Sequence, residues 1–328
     1  MKVAVFNSKP YDKESFKRHH TEHLLSFFSP GLSEDTLPMA AGFDVVCCFV
    51  NDRVNAAVIE GLAELGVKLI ALRCAGFNNV DLEAAKRCGL LVCRVPEYSP
   101  NTVAEHAVAL ILDLNRNIHR AFNRIRENDY SLQGLQGFEV NGKTVGVIGT
   151  GTIGYTFARI MKGFGCKVIA YDPQQNDRFK SVGDYVELEQ LWAQSDIISL
   201  HCPLVASTYH LVNVNSIPLM KDRVMLINTS RGGLVDTPAV IEGLKSGKIG
   251  WLGLDVYEEE AGLFFENYSN RILTDDVFAR LLTFPNVVVT GHQAFFSNEA
   301  LETIAQTTLA NIDAFAKGCL PEKNTVSL

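Results

Sequence analysis

No stretch of this sequence approaches the roughly 20 consecutive apolar residues that a bilayer-spanning helix needs, and no transmembrane segment is expected. No basic block runs longer than a few residues and the formal net charge is −7. The electrostatic footprint of a nucleic-acid surface is therefore missing. Cysteine pairs of the C-x-x-C kind are also lacking. The eight cysteines stand at positions 47, 48, 74, 88, 93, 166, 202 and 319, mostly inside apolar, strand-like runs. Such scatter gives poor support to a zinc or disulfide framework and predicts buried free thiols in a reducing cytosol; His106, His201 and His210 show no metal-ligand spacing either, and no metal is expected. The opening Met1-Lys2-Val3-Ala4-Val5-Phe6 reads as a short strand. It has neither the hydrophobic segment nor the cleavage pattern of a secretory leader, so a cytoplasmic protein is expected. Internal repeats and low-complexity segments are absent as well.

What is present is an ordinary globular composition, 328 residues of which 47% are apolar, enough for one large or two medium domains. The first hundred residues alternate β-like apolar runs (3–6, 43–50, 68–73 and 90–95) with helical patterns (12–28, 56–65 and 82–88). That alternation predicts a small α/β domain with a parallel sheet. Pro96 and Pro100 then break the pattern, and Asn101 or Thr102, with Glu105 following, can cap a long helix running to about residue 125.

A second α/β block opens at Thr144. The run Val145-Gly146-Val147-Ile148-Gly149-Thr150-Gly151-Thr152-Ile153-Gly154 is a buried strand entering a glycine turn and a helix. Gly149 permits a tight turn, Gly151 lets a pyrophosphate approach the backbone, and Gly154 lets helix and strand close together. A second strand pattern at 167–171 ends in Asp172, 23 residues past Gly149, where a carboxylate can bind a ribose 2′-hydroxyl. NAD is the expected cofactor. Further strands at 196–200, 224–228, 249–254 and 287–290, with helices at 188–194, 215–219 and 238–245, bring the count to six. A final amphipathic helix from about 297 to 317 is expected to return to the first domain. The prediction is thus an α/β protein of two doubly wound parallel-sheet domains separated by a cleft. One is a smaller flavodoxin-like substrate domain (1–100 plus 298–328), the other a Rossmann NAD-binding domain (101–297), with crossings near 98–101 and 294–298.

Three polar clusters fall at strand ends of the second block, the edge at which open α/β sheets bind ligands. In Asn228-Thr229-Ser230-Arg231-Gly232-Gly233, Arg231 follows a buried strand, and its guanidinium can clamp a carboxylate through two parallel hydrogen bonds. In Asp255-Val256-Tyr257-Glu258-Glu259-Glu260, composition alone does not choose among the glutamates. In Gly291-His292-Gln293-Ala294-Phe295-Phe296, His292 becomes a proton donor and acceptor if a carboxylate stands beside it.

These clusters, in this order after the glycine motif, resemble the signatures of the D-isomer-specific 2-hydroxyacid dehydrogenases across essentially the whole chain. The similarity is greatest to the D-lactate branch, including the Leu263-Phe264-Phe265-Glu266 insert. The resemblance implies that Arg231 binds the substrate carboxylate, His292 is the acid/base and Glu260 is its partner. Gly291 stands where many relatives have proline before the histidine. It further implies cofactor contacts from Gly149, Gly151, Thr152, Ile153, Gly154, Asp172, Cys202, Pro203, Thr208, Thr229, Ser230 and Asp255. Substrate contacts are implied for Ala75, Gly76, Phe77, Tyr98, Arg231 and His292, with Phe295 and Phe296 as an aromatic wall. The implied activity is reversible hydride transfer between NADH and pyruvate. The rivals are a dehydrogenase for a bulkier D-2-hydroxy acid such as D-2-hydroxyisocaproate, one acting on phosphoglycerate, and a non-catalytic NAD(H)-sensing protein. The absence of a basic cluster or an added regulatory domain disfavours phosphoglycerate. The family's habit of pairing through the cofactor domain makes the helix at 102–125 a candidate homo-oligomer interface.

Overall fold

The computed structural model of the chain describes residues 1–326. They form two compact units, Met1–Ser99 with the chain from Phe296 onward, and Pro100–Phe295. In the first unit, β1 (Lys2–Val5), α1 (Pro10–Lys17), β2 (Leu24–Phe27), β3 (Val45–Cys48), α2 (Ala56–Glu64), β4 (Leu69–Leu72), α3 (Leu82–Arg87) and β5 (Leu91–Cys93) follow one another. Among the described residues its sheet is five-stranded and parallel, in the flavodoxin-like order β2-β1-β3-β4-β5. Every residue of β3 and β4 is buried, as a parallel sheet covered on both faces requires. Local signals set the helix starts: the Asn55 side chain accepts from Val58 N at 3.0 Å and Asp81 from Ala84 N at 2.9 Å.

The helix expected over 12–28 is instead α1 followed by β2. Leu24-Leu25-Ser26-Phe27 is too short an apolar run for periodicity to decide, and pairing beside β1 (Lys2↔Leu24) makes it a strand.

The second unit runs α4 (Pro100–Arg116), α5 (Ile118–Arg126), β6 (Thr144–Ile148), α6 (Thr152–Gly163), β7 (Lys167–Tyr171), β8 (Asp184–Tyr185), α7 (Leu188–Gln194), β9 (Ile197–Leu200), β10 (Val224–Asn228), α8 (Thr237–Ser246), β11 (Ile249–Leu254), α9 (Asp276–Leu282) and β12 (Val287–Val289). All pairings in its sheet are parallel, in the order β12-β11-β10-β9-β6-β7-β8. The order reverses between β6 and β9, the switch point at which such sheets bind dinucleotides. Among the described residues seven strands replace the six expected, because two-residue β8 joins the edge through Ala170↔Tyr185. The helix expected at 215–219 is only the 3₁₀ turn Ile217–Leu219. α9 went unread; Asp275 caps it, and Phe278 and Leu281 bury its inner face.

The single long helix expected after Pro100 is two. Asn117 adopts φ 52, a left-handed backbone that asparagine tolerates better than most residues, and separates α4 from α5. The first of the pair also opens at Pro100, ahead of either expected cap. Proline suits the first helical turn, where its missing N–H has no partner to lose. Ala104, Ala107, Leu110, Ile111 and Leu114 of α4 share a core with Val145, Val147, Phe157 and Met161.

The last helix, α10 (Asn298–Ala316), belongs to the first unit. Its Ala305, Leu309 and Ile312 lie in one core with Val3, Val5, Val45 and Leu69. Ser15 Oγ donates to Leu301 O at 2.9 Å, and His23 Nε2 stands 2.9 Å from Asp313. The eight cysteines are free thiols; six are buried, Cys88 is half-buried and Cys319 exposed. Among the described residues no helix is long and apolar enough to cross a membrane, and no group of three or more His, Cys, Asp or Glu gathers as a metal would require.

Candidate dinucleotide and active site

The glycine turn is dictated by close approach. Gly149 has φ +93, and a Cβ there would stand 2.5 Å from Cys202 N. A Cβ on Gly154 would enter the Gly149 carbonyl oxygen, so helix and turn close only with glycine. Gly151 is different: nothing lies within 4 Å of where its Cβ would be, and no side chain caps α6. The turn therefore presents the positive end of a 12-residue helix, with Thr152 and Ile153 in its first turn, to an incoming anion.

Asp172 stands at the end of β7. Its Oδ2 accepts from Thr150 N at 2.7 Å and Thr150 Oγ1 at 2.9 Å, and its Oδ1 from Gln174 N at 2.8 Å. Across the switch point, Ser230 Oγ donates to Cys202 O at 2.7 Å. Thr208 Oγ1 donates to Pro203 O at 2.6 Å and accepts from Val205 N, closing the loop after β9. Cys202 is packed behind the glycine turn, and burial pushes its thiol up to about 11. Thr229 Oγ1 is buried without a hydrogen-bond partner, an arrangement that costs free energy unless a ligand satisfies it. An open helix terminus, a positioned carboxylate and an orphaned hydroxyl on one sheet edge together fit a dinucleotide.

The acid/base elements lie on neighbouring loops. His292 Nδ1 and Glu260 Oε1 are 2.8 Å apart, with both side chains largely covered. An ionised carboxylate only accepts, so Nδ1 carries the hydrogen and Nε2 is the atom left for substrate. The second oxygen of Glu260 accepts from Tyr257 N at 3.1 Å. Geometry thus distinguishes the three glutamates: Glu258 bonds His210 Nε2 at 2.6 Å and Tyr209 OH at 3.1 Å, and Glu259 is exposed. His292 itself has φ 54, a rare conformation for a residue with a Cβ. Buried Asp255 holds it there. The Asp255 carboxylate accepts from Thr290 Oγ1 at 2.5 Å and from Gln293 N and Ala294 N at 2.8 Å, while its carbonyl takes His292 N at 2.7 Å.

Arg231 Nη1 donates to its neighbour Ser230 O at 2.7 Å, and the Asn228 amide holds the Arg231 carbonyl at 2.8 Å. A Cβ on Gly232 would enter the Tyr257 and Glu258 backbone, so the loop bearing Arg231 presses directly on the loop bearing Glu260.

In the first unit, Ala75 O accepts from Arg94 Nη1 at 3.0 Å, Gly76 O from Cys74 Sγ at 3.3 Å, and the Phe77 ring lies 5.2 Å from the Arg94 guanidinium. Tyr98 is half-buried. Phe295 is buried in the second unit, whereas Phe296 belongs to the first, is 50% exposed and meets Tyr11 edge-on at 4.8 Å.

Sequence reasoning passed over three neighbours of the acid/base pair. Phe265 sits 5.7 Å from the His292 ring, His106 Nε2 is 3.0 Å from Thr290 Oγ1, and His210 holds Glu258. Only Phe265 carried a signal, through the 263–266 insert; a lone histidine in a helix or loop carries none.

Comparison with known proteins shows the family. The family model described as D-isomer specific 2-hydroxyacid dehydrogenase, NAD binding domain, matches residues 108–294. The chain is 53% identical over 320 residues to 2-hydroxyacid dehydrogenase A of Aspergillus oryzae, covering 96% of this chain and 92% of that one. It is 52% identical over 321 residues to a D-lactate dehydrogenase of Escherichia coli, covering 97% and 98%. The apo-structure of D-lactate dehydrogenase from Escherichia coli superposes with a TM-score of 0.90 at 49% identity, covering 99% of this chain and 100% of that one. With the glycine turn, the carboxylate at the end of β7 and the His292–Glu260 pair all in place, this chain belongs to the D-isomer specific 2-hydroxyacid dehydrogenases, enzymes whose cofactor is NAD.

Proposed function

We propose that the chain is a D-lactate dehydrogenase, reducing pyruvate to D-lactate and running in reverse. The observation that carries the reading is the 2.8 Å His292–Glu260 pair on the ligand-binding edge of an NAD-binding sheet. The 52% identity to a relative named for this activity supports the choice of substrate.

In this reading NADH, when bound, supplies a hydride to the carbonyl carbon of the 2-oxo acid. Arg231 grips the substrate carboxylate with its planar fork and fixes the carbonyl's orientation. Charged His292 donates the Nε2 proton to the carbonyl oxygen as negative charge develops there. Glu260 stabilises the imidazolium by opposite charge and fixes its ring through Nδ1. In the oxidative direction, neutral His292 takes the proton back.

Gly149, Gly151, Thr152, Ile153 and Gly154 are assigned to the pyrophosphate and Asp172 to the adenosine ribose. Cys202, Pro203, Thr208, Thr229, Ser230 and Asp255 are assigned to the remaining cofactor wall. Within that set, Asp255 acts by holding the loop of His292 rather than through an exposed carboxylate. Residues 1–100 and 298–328 are assigned to substrate recognition and 101–297 to the cofactor. Ala75, Gly76, Phe77, Tyr98, Phe295 and Phe296 carry the substrate assignment by family resemblance alone. The chemistry suits fermentative regeneration of NAD in a reducing cytoplasm. Exposed Ile118, Phe122 and Ile125 on α5 fit pairing with a second copy of the chain.

The test is a panel of 2-oxo acids with NADH and chiral analysis of the products. Pyruvate should outperform 2-oxoisocaproate and give the D product. A preference for the bulkier acid or an L product overturns the substrate assignment, and no turnover of any member favours the NAD(H)-sensing alternative.

A further inference from the structure

The carboxylate of Asp172 is held by a chain of hydroxyls that the cofactor reading does not use. Thr150, the residue between the first two glycines of the turn, is 1% exposed. Its Oγ1 stands 2.9 Å from Asp172 Oδ2 and 2.8 Å from Tyr185 OH. A threonine hydroxyl has one hydrogen, and an ionised carboxylate can only accept. Thr150 therefore donates to Asp172, and the Tyr185 hydrogen goes to Thr150 at 2.8 Å rather than to the more distant Asn176 carbonyl at 3.4 Å. Tyr185 OH in turn accepts from Asn176 N at 3.0 Å. The relay runs in one direction, from Asn176 N–H through Tyr185 O–H and Thr150 O–H to Asp172 Oδ2.

Both ends of the relay are fixed. The Asn176 side chain donates to Thr150 O at 2.9 Å and accepts from Phe179 N at 3.0 Å, tying the loop after β7 to the glycine turn. Tyr185 lies on β8, the short edge strand paired with β7, and its ring contacts buried Phe179 at 5.3 Å. β8 thus has a task beyond widening the sheet: it aims a phenol at the nucleotide turn.

The acceptor count gives this arrangement a consequence. A carboxylate has about four lone-pair sites. Two on Oδ2 are filled by the Thr150 N–H and O–H, and one on Oδ1 by Gln174 N–H. One site on Oδ1 is left, and it can only accept. A ribose hydroxyl satisfies it, whereas a 2′-phosphate brings negative charge and acceptor oxygens to a carboxylate that cannot swing away.

We propose that Tyr185 and Thr150 are specificity-determining positioning residues, which lock Asp172 so that it accepts NADH and rejects NADPH. The proposal rests on the assignment of Asp172 to the adenosine ribose. Chains of hydrogen bonds polarise one another, and a bond to a charged group is the strong kind, so opening the relay at either hydroxyl weakens the hold on the carboxylate, which the Thr150 and Gln174 N–H groups then share.

The experiment compares kcat/KM for NADH and for NADPH, with pyruvate as oxidant, in the parent and in the Asp172→Ala, Tyr185→Phe, Thr150→Val and Thr150→Ser variants. Tyr185→Phe keeps the ring on Phe179, and Thr150→Ser keeps the hydroxyl. Expected is a fall in the NADH-to-NADPH ratio of about tenfold in Thr150→Val and about threefold in Tyr185→Phe, the scale of losing one charge-assisted bond and one neutral bond. Thr150→Ser should stay near the parent, and KM for pyruvate at saturating NADH should stay unchanged in Tyr185→Phe. General damage to the fold would lower both cofactors' values together and leave their ratio alone. If Asp172→Ala narrows the ratio while Tyr185→Phe and Thr150→Val keep the parental one, the relay is refuted and the role of Asp172 stands. If Asp172→Ala also keeps the parental ratio, the assignment of Asp172 and the relay fall together. Should Thr150→Val not fold, Tyr185→Phe decides alone.

Discussion

At Glu260, glutamine removes one charge with almost no change in shape, so substitution there separates electrostatics from packing. Glu260→Gln should lower kcat/KM for pyruvate reduction by about a hundredfold, the low end of what a positioned acid/base group contributes. Glu259→Gln, at an exposed side chain, should leave the rate at the parent value. Glu258→Gln disturbs His210 and Tyr209 rather than His292, so its effect should be smaller than that of Glu260→Gln. Steady-state rates on the three purified variants decide the matter: equal losses at 258 and 260, or none at 260, would move the partner of His292 elsewhere. The rare backbone of His292 adds a related constraint. With φ 54 held by Asp255 from both its carboxylate and its carbonyl, the imidazole is aimed by the main chain before any substrate arrives.

Among the elements, α5 has the least explanation within its own chain. None of its residues is buried, yet Ile118, Phe122 and Ile125 line one face at helical spacing, 54, 58 and 55% exposed. If a second copy covers that face, Phe122→Asp places a charge in the contact and the protein should sediment as a monomer, with its far-UV circular dichroism retained. A parent that is already monomeric, or an aspartate variant that stays paired, would count against α5.

The same element marks where sequence reading stops. Apolar periodicity runs through 102–125 without interruption, and a single asparagine in the left-handed region, not a change of pattern, divides it. β2 and β8 were invisible for a different reason: no glycine or proline separates Leu24–Phe27 from α1, β8 is two residues long, and pairing to a neighbouring strand, not propensity, makes each a strand. At the site, the glycine turn, Asp172 and His292 were legible because each depends on residue type at a fixed place along a strand–turn–helix. The choice of Glu260 came from family resemblance, since only three-dimensional placement tells three consecutive glutamates apart. His106 and Tyr185 gave no signal at all, because their partners lie far away in sequence.

For the whole molecule, one source of the acid limb of stability is a histidine. His201 sits behind the glycine turn against Phe157, with Ser199 Oγ 2.9 Å from its Nε2, and burial pushes it down to about 3 from 6.5. Between those values the unfolded chain binds a proton that the folded chain refuses. Its contribution is therefore fully present above pH 6.5 and is lost as pH falls, at about 1.4 kcal/mol per pH unit. His201→Gln, which keeps a polar partner for Ser199, should flatten the loss of stability between pH 6.5 and 4. Urea unfolding at several pH values measures it, and equal slopes in parent and variant would show that this histidine does not set the limb.

The buried thiols turn the protein into its own stopwatch. Cys47 and Cys93 lie in strands of the first unit, their thiols pushed by burial up to about 11 and about 12, while Cys166 and Cys202 lie in the second. An alkylating reagent consumes exposed Cys319 at once and then waits for structure to open. Peptide mapping of which sulfur is modified, and when, would time the breathing of each unit separately in one tube, with no probe introduced and no residue changed.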